Sequence, residues 1–202
     1  MSAVWVPTTD QIAELEADWR SAEEQIKEAE QETGDFPIPP VNELRYAGRH
    51  LLDAFTADSD EARQKEFSKA QRHTLRAKYD AAEVRILSHL RSIMFFRDDY
   101  RTVEIAPILP DWQATLLLVR EVQDRIRENR RDDRLEKRGS DHGLFVEYSA
   151  RLKEHVLRLD VAREELNKKL ELRRENTRRW AIGISVAIVL ALLAALTKWI
   201  AG

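Results

Sequence analysis

The sequence predicts an all-α protein: a cytosolic helical bundle, a long helical stalk, and one C-terminal transmembrane helix. Three observations carry this expectation. Only six Gly and six Pro punctuate 202 residues, too few turn formers for a β-sandwich and enough for a few long helices. Apolar residues recur at three- and four-residue steps through most of the chain, the period of a helix with one buried face. Residues 180–197 contain no charge at all.

Composition excludes several classes of function. The 33 Lys+Arg nearly balance 36 Asp+Glu, which argues against wholesale coating of nucleic acid. Cysteine is absent, so disulfides, thiolate metal sites and cysteine nucleophiles are excluded, and a reducing compartment suits the chain. The length suits one soluble domain and little else. Charged residues make up 34% of the chain, yet mean hydropathy is only −0.52, because one end is almost pure hydrocarbon.

The elements follow in order. Thr8 with Gln11 three residues on matches a capping box, and the helix it opens runs to about Thr33, with Gly34 as its left-handed stop. Ile12, Leu15, Trp19, Ala22, Ile26 and Ala29 form a narrow apolar stripe on it. Residues 1–43 carry eleven acids and two cations, so this helix is either solvated or docked on a basic surface of the same assembly. Residues 35–40, with three prolines, predict an extended connector. A short helix to about Ala57 follows, with Leu44, Ala47, Leu51, Ala54 and Phe55 inward. Asp58 and Glu61 suggest a second capping box opening a long helix to about Arg97, with Phe67, Ala70, Leu75, Tyr79, Ala82, Ile86, Leu90, Ile93 and Met94 in register. Residues 103–110 predict a loop packed on the bundle. Asp111 caps a fourth helix that ends near Arg138 and Gly139, with Trp112, Thr115, Leu116, Val119, Val122 and Ile126 inward. Ser140 or Asp141 starts the last helix, where Leu144, Tyr148, Leu152, Val156, Leu159, Leu166 and Leu170 approach a coiled-coil seam. The expected divisions are an acidic helix (1–34), a bundle (35–139), an amphipathic stalk (140–179) and a transmembrane helix (180–201).

The membrane segment has matching flanks. Trp180 and Trp199 lie 19 positions apart. That is about 28 Å along a helix, the spacing of two interfacial aromatic belts. Lys168, Lys169, Arg173, Arg174, Arg178 and Arg179 precede the apolar run against only Glu171 and Glu175. Excess cation stays on the cytoplasmic side, so the N-terminal part is expected in the cytoplasm and the protein in the inner membrane. The same cations suit anionic headgroups. Gly183, Ala187, Ala191 and Ala195 recur every four residues, a stripe of small side chains that lets helices of identical copies approach closely. With no Gly or Pro between Leu144 and Ile182, the stalk runs unbroken into the membrane and is suited to transmit a cytosolic event.

Chemistry-bearing patterns are sparse. The five histidines show no HExxH pair, and no P-loop or Gly-x-Ser-x-Gly elbow is present, so no metal, cofactor or enzymatic activity is expected. Arg45 and Arg49 share one helix face with Tyr46 and His50, the side chains a phosphate and a stacked base would need. The face reads as a ligand site, a catalytic one or an ordinary solvated one. Arg127, Arg130, Arg131 and Arg134 form a second basic ridge within an acid-interleaved segment, a candidate phosphate contact if copies converge.

Two resemblances attach to these residues. Arg45 and His50, separated by four residues, resemble the Arg-x4–6-His motif of HEPN-type ribonucleases, which are small helical bundles. That resemblance implies phosphate contact for Arg45 and proton transfer for His50, although Tyr46 stands where that family has a polar residue. The run Phe36-Pro37-Ile38-Pro39-Pro40-Val41-Asn42-Glu43-Leu44-Arg45-Tyr46-Ala47-Gly48-Arg49-His50, together with the terminal anchor, resembles small membrane effectors of bacterial anti-phage systems of the Hailong type. This second resemblance implies an oligomeric ion channel gated by a nucleotide or single-stranded nucleic acid, with a nucleotidyltransferase as partner. The expected function is therefore a signal-gated homo-oligomeric membrane effector. The alternatives are an anchored adaptor whose acidic helix recruits a protein, and a membrane-tethered ribonuclease.

Overall fold

The spine of the molecule is a 40-residue helix, α3 (Asp60–Asp99), against which α1 (Thr9–Thr33), α2 (Ile38–Thr56) and α5 (Leu135–Ala201) pack. The remaining helix, α4 (Trp112–Arg131), lies on α5. This computed structural model describes the backbone of residues 5–131 and 135–201, and the side chains of residues 5–129 and 141–193. No strand occurs among the described residues. The chain is all-α, as its periodicity requires.

Local chemistry sets most boundaries. The Thr8 hydroxyl accepts from the Gln11 backbone N–H at 3.2 Å, and the Gln11 side chain accepts from the Thr8 N–H at 2.9 Å. Gly34, at φ 72°, ends α1 in the left-handed conformation that glycine tolerates best. Three expectations shift here. The proline-rich stretch is not wholly extended: α2 begins at Ile38, so Pro39 and Pro40 occupy its first turn, where missing N–H groups cost nothing. The cap of α3 is Ser59, whose hydroxyl accepts from the Ala62 N–H at 3.2 Å, one residue past Asp58. The last helix already includes Leu135, so Gly139 lies inside α5 rather than at a helix end. One interior glycine weakens a helix by about 1 kcal/mol and does not by itself end it. Residues 132–134, between α4 and α5, lie outside the described residues.

The core has two parts strung along α3. Its N-terminal half meets α1 and α2 through Phe67, Ala77 and Ala81, packed with Leu15, Ala22, Ile26, Leu44 and Ala54. Its C-terminal half carries the larger core, from Tyr79 through Phe96 to Tyr100. There the loop residues Ile105 and Leu109, the α4 residues Trp112, Val119, Val122 and Ile126, and the α5 residues Phe145, Tyr148, Leu152, Leu159 and Leu166 close around it. Three residues expected inward are exposed: Ile12, Phe55 and Leu75.

The seam of the expected stalk has an intramolecular use. Phe145, Leu152 and Leu166 are fully buried in the larger core, so α5 up to about Leu166 belongs to the bundle. Beyond it, every residue from 171 to 193 is exposed. The acidic helix also finds its basic surface within the chain. Asp18 pairs with Lys78 at 2.9 Å, Glu28 with Arg85 at 2.7 Å, and Glu32 with Arg85 at 2.8 Å and Lys153 at 2.7 Å.

Candidate functional site

The face formed by α2 and α3 gathers the candidate ligand residues. Arg45 and Arg49, one turn apart on α2, flank the ring of Tyr46, with guanidinium carbons 5.2 and 5.7 Å from its centre. Both arginines are exposed, and neither has a carboxylate partner among the described residues. Cation–π contact with a shared ring restrains two long side chains that would otherwise be free. Two unneutralised, restrained guanidiniums suit a phosphate. Tyr46 is less available for a stacked base, because the guanidiniums and His73, at 5.6 Å, already surround it.

His50 lies deeper and is differently engaged. It is 8% exposed, and its Nδ1 is 2.6 Å from Glu66 Oε2. Lys69 Nζ donates to the other Glu66 oxygen at 2.6 Å, and that bond, together with His50, holds the carboxyl below its ordinary range. The His50 ring stacks on His73 at 5.1 Å and 13°, and His73 Nδ1 is 2.6 Å from Glu43 Oε2. The face thus contains two stacked imidazoles, each tied to its own carboxylate. Glu43, Glu66 and His73 were not singled out in the sequence. The signal was there only jointly, in a His on each of two helices with an acid three turns or fewer away.

His50, Asp53 and Glu66 also bring three donor atoms within 4.8 Å of one another, a set that could hold a cation. Lys69 opposes this, since its ammonium already occupies Glu66. A metal there would have to displace a charge-assisted hydrogen bond.

The second basic ridge resolves less favourably. Arg127 is exposed but paired with Asp124 at 2.6 Å within its own helix. Such i,i+3 pairs mark a solvated face. The side chains of Arg130, Arg131 and Arg134 lie outside the described residues.

A buried polar node ties α1, α3 and α5 together. Arg85, 9% exposed, donates to Glu28 and twice to Glu32, while Lys153 donates to Glu32. Burial pushes the Glu32 carboxyl up, but the bonds from Arg85 and Lys153 outweigh it and hold it at about 2. His89 lies beside Glu32 at 3.4 Å, and burial pushes its pKa down. Burial likewise lowers His142 and His155. His155 Nδ1 is 2.8 Å from the Thr115 hydroxyl, and His142 Nε2 is 3.1 Å from Gln25 Oε1. These groups hold helices together rather than face a cavity.

The C-terminal part of α5 is the one helix among the described residues long and apolar enough to cross a membrane, and its apolar stretch has no burial inside the chain. Gly183, Ala187 and Ala191 lie on it exposed, and a Cβ built on Gly183 meets nothing within 4 Å. Trp180, at the start of the apolar run, is 69% exposed. The side chains of Ala195 and Trp199 lie outside the described residues. In the basic flank, Lys168 pairs with Glu164 and Arg179 with Glu175, at 2.7 and 2.6 Å. Arg173, Arg174 and Arg178 have no carboxylate partner among the described residues, and Lys169 is half-buried. Set beside known proteins, the chain matches no family model, no curated protein and no solved structure.

Proposed function

We propose that the chain is a signal-gated, membrane-permeabilising homo-oligomer with its bundle in the cytoplasm. Several copies of α5 cross the inner membrane side by side, because a single span cannot enclose a pore. The bundle senses a phosphate-bearing signal, a nucleotide or single-stranded nucleic acid, through Arg45, Tyr46 and Arg49, with His50 fixing the floor of the face. In the anti-phage effectors that the sequence resembles, a nucleotidyltransferase supplies such a signal, and the same source is proposed here.

The observation that carries this reading is the stretch of α5 from Trp180 to Leu193, apolar and exposed on every side. Such a surface in one copy demands lipid, other copies, or both. The test uses the small-residue stripe. A Cβ at Gly183 meets nothing within 4 Å in the chain, so a fall in oligomeric mass in Gly183→Leu points to contact between copies. Conductance of the full-length protein in liposomes should fall in Gly183→Leu and Ala191→Leu, along with its oligomeric mass in detergent. Unaltered channels in both variants count against the pore.

The two alternatives fare less well. An adaptor recruiting a partner through α1 must compete with the pairs that Asp18, Glu28 and Glu32 already make. A ribonuclease needs His50 to exchange protons with RNA, and His50 is buried and hydrogen-bonded to Glu66.

A further inference from the structure

The end of α3 with the turn after it and the facing turns of α5 line an open cleft of about 640 Å³ that reaches Ala181, beside the start of the apolar segment. Its rim includes Arg101, from the turn after α3, and Arg173, Arg174 and Arg178, from successive turns of α5. None of the four guanidiniums has a carboxylate partner among the described residues. The two acids on the same rim are engaged elsewhere: Asp98 with Arg97 at 3.4 Å, and Asp99 with Arg163 at 3.3 Å. The cleft therefore carries four unneutralised cations and two neutralised acids. Ala181, adjacent to Trp180, also lines it, so its mouth opens at the level of the aromatic residue that begins the span.

Its position is fixed by packing rather than by a loose loop. The Tyr100 hydroxyl donates to Asn167 Oδ1 at 2.7 Å. The Arg163 guanidinium lies 5.3 Å from the centre of the Phe96 ring. The first contact falls on Arg101's chain neighbour and the second one turn earlier on α3, so the backbone beside Arg101 is held on α5. Preorganised guanidiniums in fork geometry are the strongest side-chain partners for phosphate oxygens.

We propose that this cleft is a binding site for the phosphate of an anionic glycerophospholipid headgroup, which clamps the bundle to the membrane surface through Arg101, Arg174 and Arg178. The inference rests on the reading that α5 enters a bilayer. It goes beyond diffuse attraction between basic flanks and lipid, because Arg101 comes from a different element and lines the same cleft.

The test uses full-length protein reconstituted in phosphatidylcholine vesicles with and without phosphatidylglycerol, followed by flotation and by counting phosphatidylglycerol retained after extraction in mild detergent. Wild-type protein floats with both vesicles and retains phosphatidylglycerol. Arg101→Gln with Arg174→Gln retains at least about tenfold less, because each lost guanidinium removes a charge-assisted bond to the phosphate. Lys169→Gln with Arg179→Gln removes the same charge outside the cleft and retains phosphatidylglycerol as wild type does. Equal loss in both double variants overturns the site in favour of diffuse attraction. Displacement by inorganic phosphate at concentrations equal to the lipid overturns the lipid as the source. Floating with both vesicles while retaining no phosphatidylglycerol overturns this inference alone, whereas failure to float with either vesicle overturns the membrane reading and the inference with it.

Discussion

Residues 141–166 and 171–193 belong to one unbroken helix and live in opposite surroundings. The first stretch alternates buried and exposed positions, and Phe145, Leu152 and Leu166 disappear into the core shared with α3 and α4. The second is exposed on all faces, although from Trp180 onward it is far more apolar. In water the apolar stretch would be the one driven inward, since burial of apolar area is the main stabilising term in folding. The less apolar half is buried and the more apolar half is not, which is the arrangement expected of a helix whose end enters lipid. The amphipathic half has its partners within the chain. The apolar half needs partners the chain does not supply.

The largest effect that separates the halves comes from a charge. Leu190→Arg, near the middle of the apolar run, should move the protein from the membrane fraction to the soluble or aggregated one while leaving the helical far-UV signal of the bundle intact. A central Arg costs about 2.5–3.5 kcal/mol in membrane insertion. Unchanged fractionation would erase the distinction between the halves.

Truncation in the other half should act on folding instead. Phe145→Ala removes a fully buried ring from the larger core and should destabilise the bundle by about 3–5 kcal/mol, read as a lower urea midpoint in mild detergent. Leu190→Ala in the same assay should shift the midpoint little, because nothing in the chain covers that side chain. Equal shifts would mean that the apolar half folds back on the bundle.

A smaller effect tests the polar node that holds α1 against both α3 and α5. Glu32→Ala leaves Arg85 with only Glu28 and removes the partner of Lys153, at a cost of about 1–3 kcal/mol. The pH dependence has a definite sign. The folded pKa of Glu32 lies below its ordinary 4.5, so its stabilisation is present above 4.5 and is lost as pH falls toward about 2. His89, His142 and His155 are also depressed, so they favour the unfolded chain as pH drops below the ordinary histidine value of 6.5. Urea titrations should therefore show stability falling first below 6.5 and again below 4.5, the second step smaller in Glu32→Ala and the remainder carried by Glu66, Asp111 and Glu164, whose carboxyls are also held low by cationic partners. A flat profile through both windows would contradict the burial of these groups.

The smallest change in stability belongs to the ligand face. Arg45→Gln with Arg49→Gln removes two exposed guanidiniums and should alter the urea midpoint by less than about 0.5 kcal/mol. The same pair should abolish binding of a fluorescent mononucleotide or oligonucleotide by anisotropy. Retained binding would move the sensing site elsewhere in the bundle.

Much of the fold was legible in short-range chemistry. The capping box at Thr8, the left-handed Gly34 and the helical period of α3 and α4 all act within a few residues, so their consequences can be read from local spacing. What local spacing missed depended on neighbours in space. Ser59 rather than Asp58 caps α3, and Pro39 and Pro40 sit inside α2, because helix ends slide by a residue or more to suit packing. At the candidate site, Arg45, Tyr46 and Arg49 lie on one helix and were visible together. His50 was visible beside them, but its burial, its bond to Glu66 and its stacking on His73 required α3 to lie across α2.

The amino-acid order alone determined that the chain is helical, that its final apolar run has the length of a bilayer crossing, and that its cations gather just before that run. Those properties follow from side-chain chemistry repeated along one axis, which no distant contact alters. Only the tertiary structure decided that the acids of α1 meet Lys78, Arg85 and Lys153 of the same chain, that the seam of α5 is filled by its own bundle, and that Arg101 and Arg174 line one cleft. Charges and apolar faces name the kind of partner they need. The path of the backbone in space chooses which residue answers, because each contact joins positions that the sequence sets dozens of residues apart.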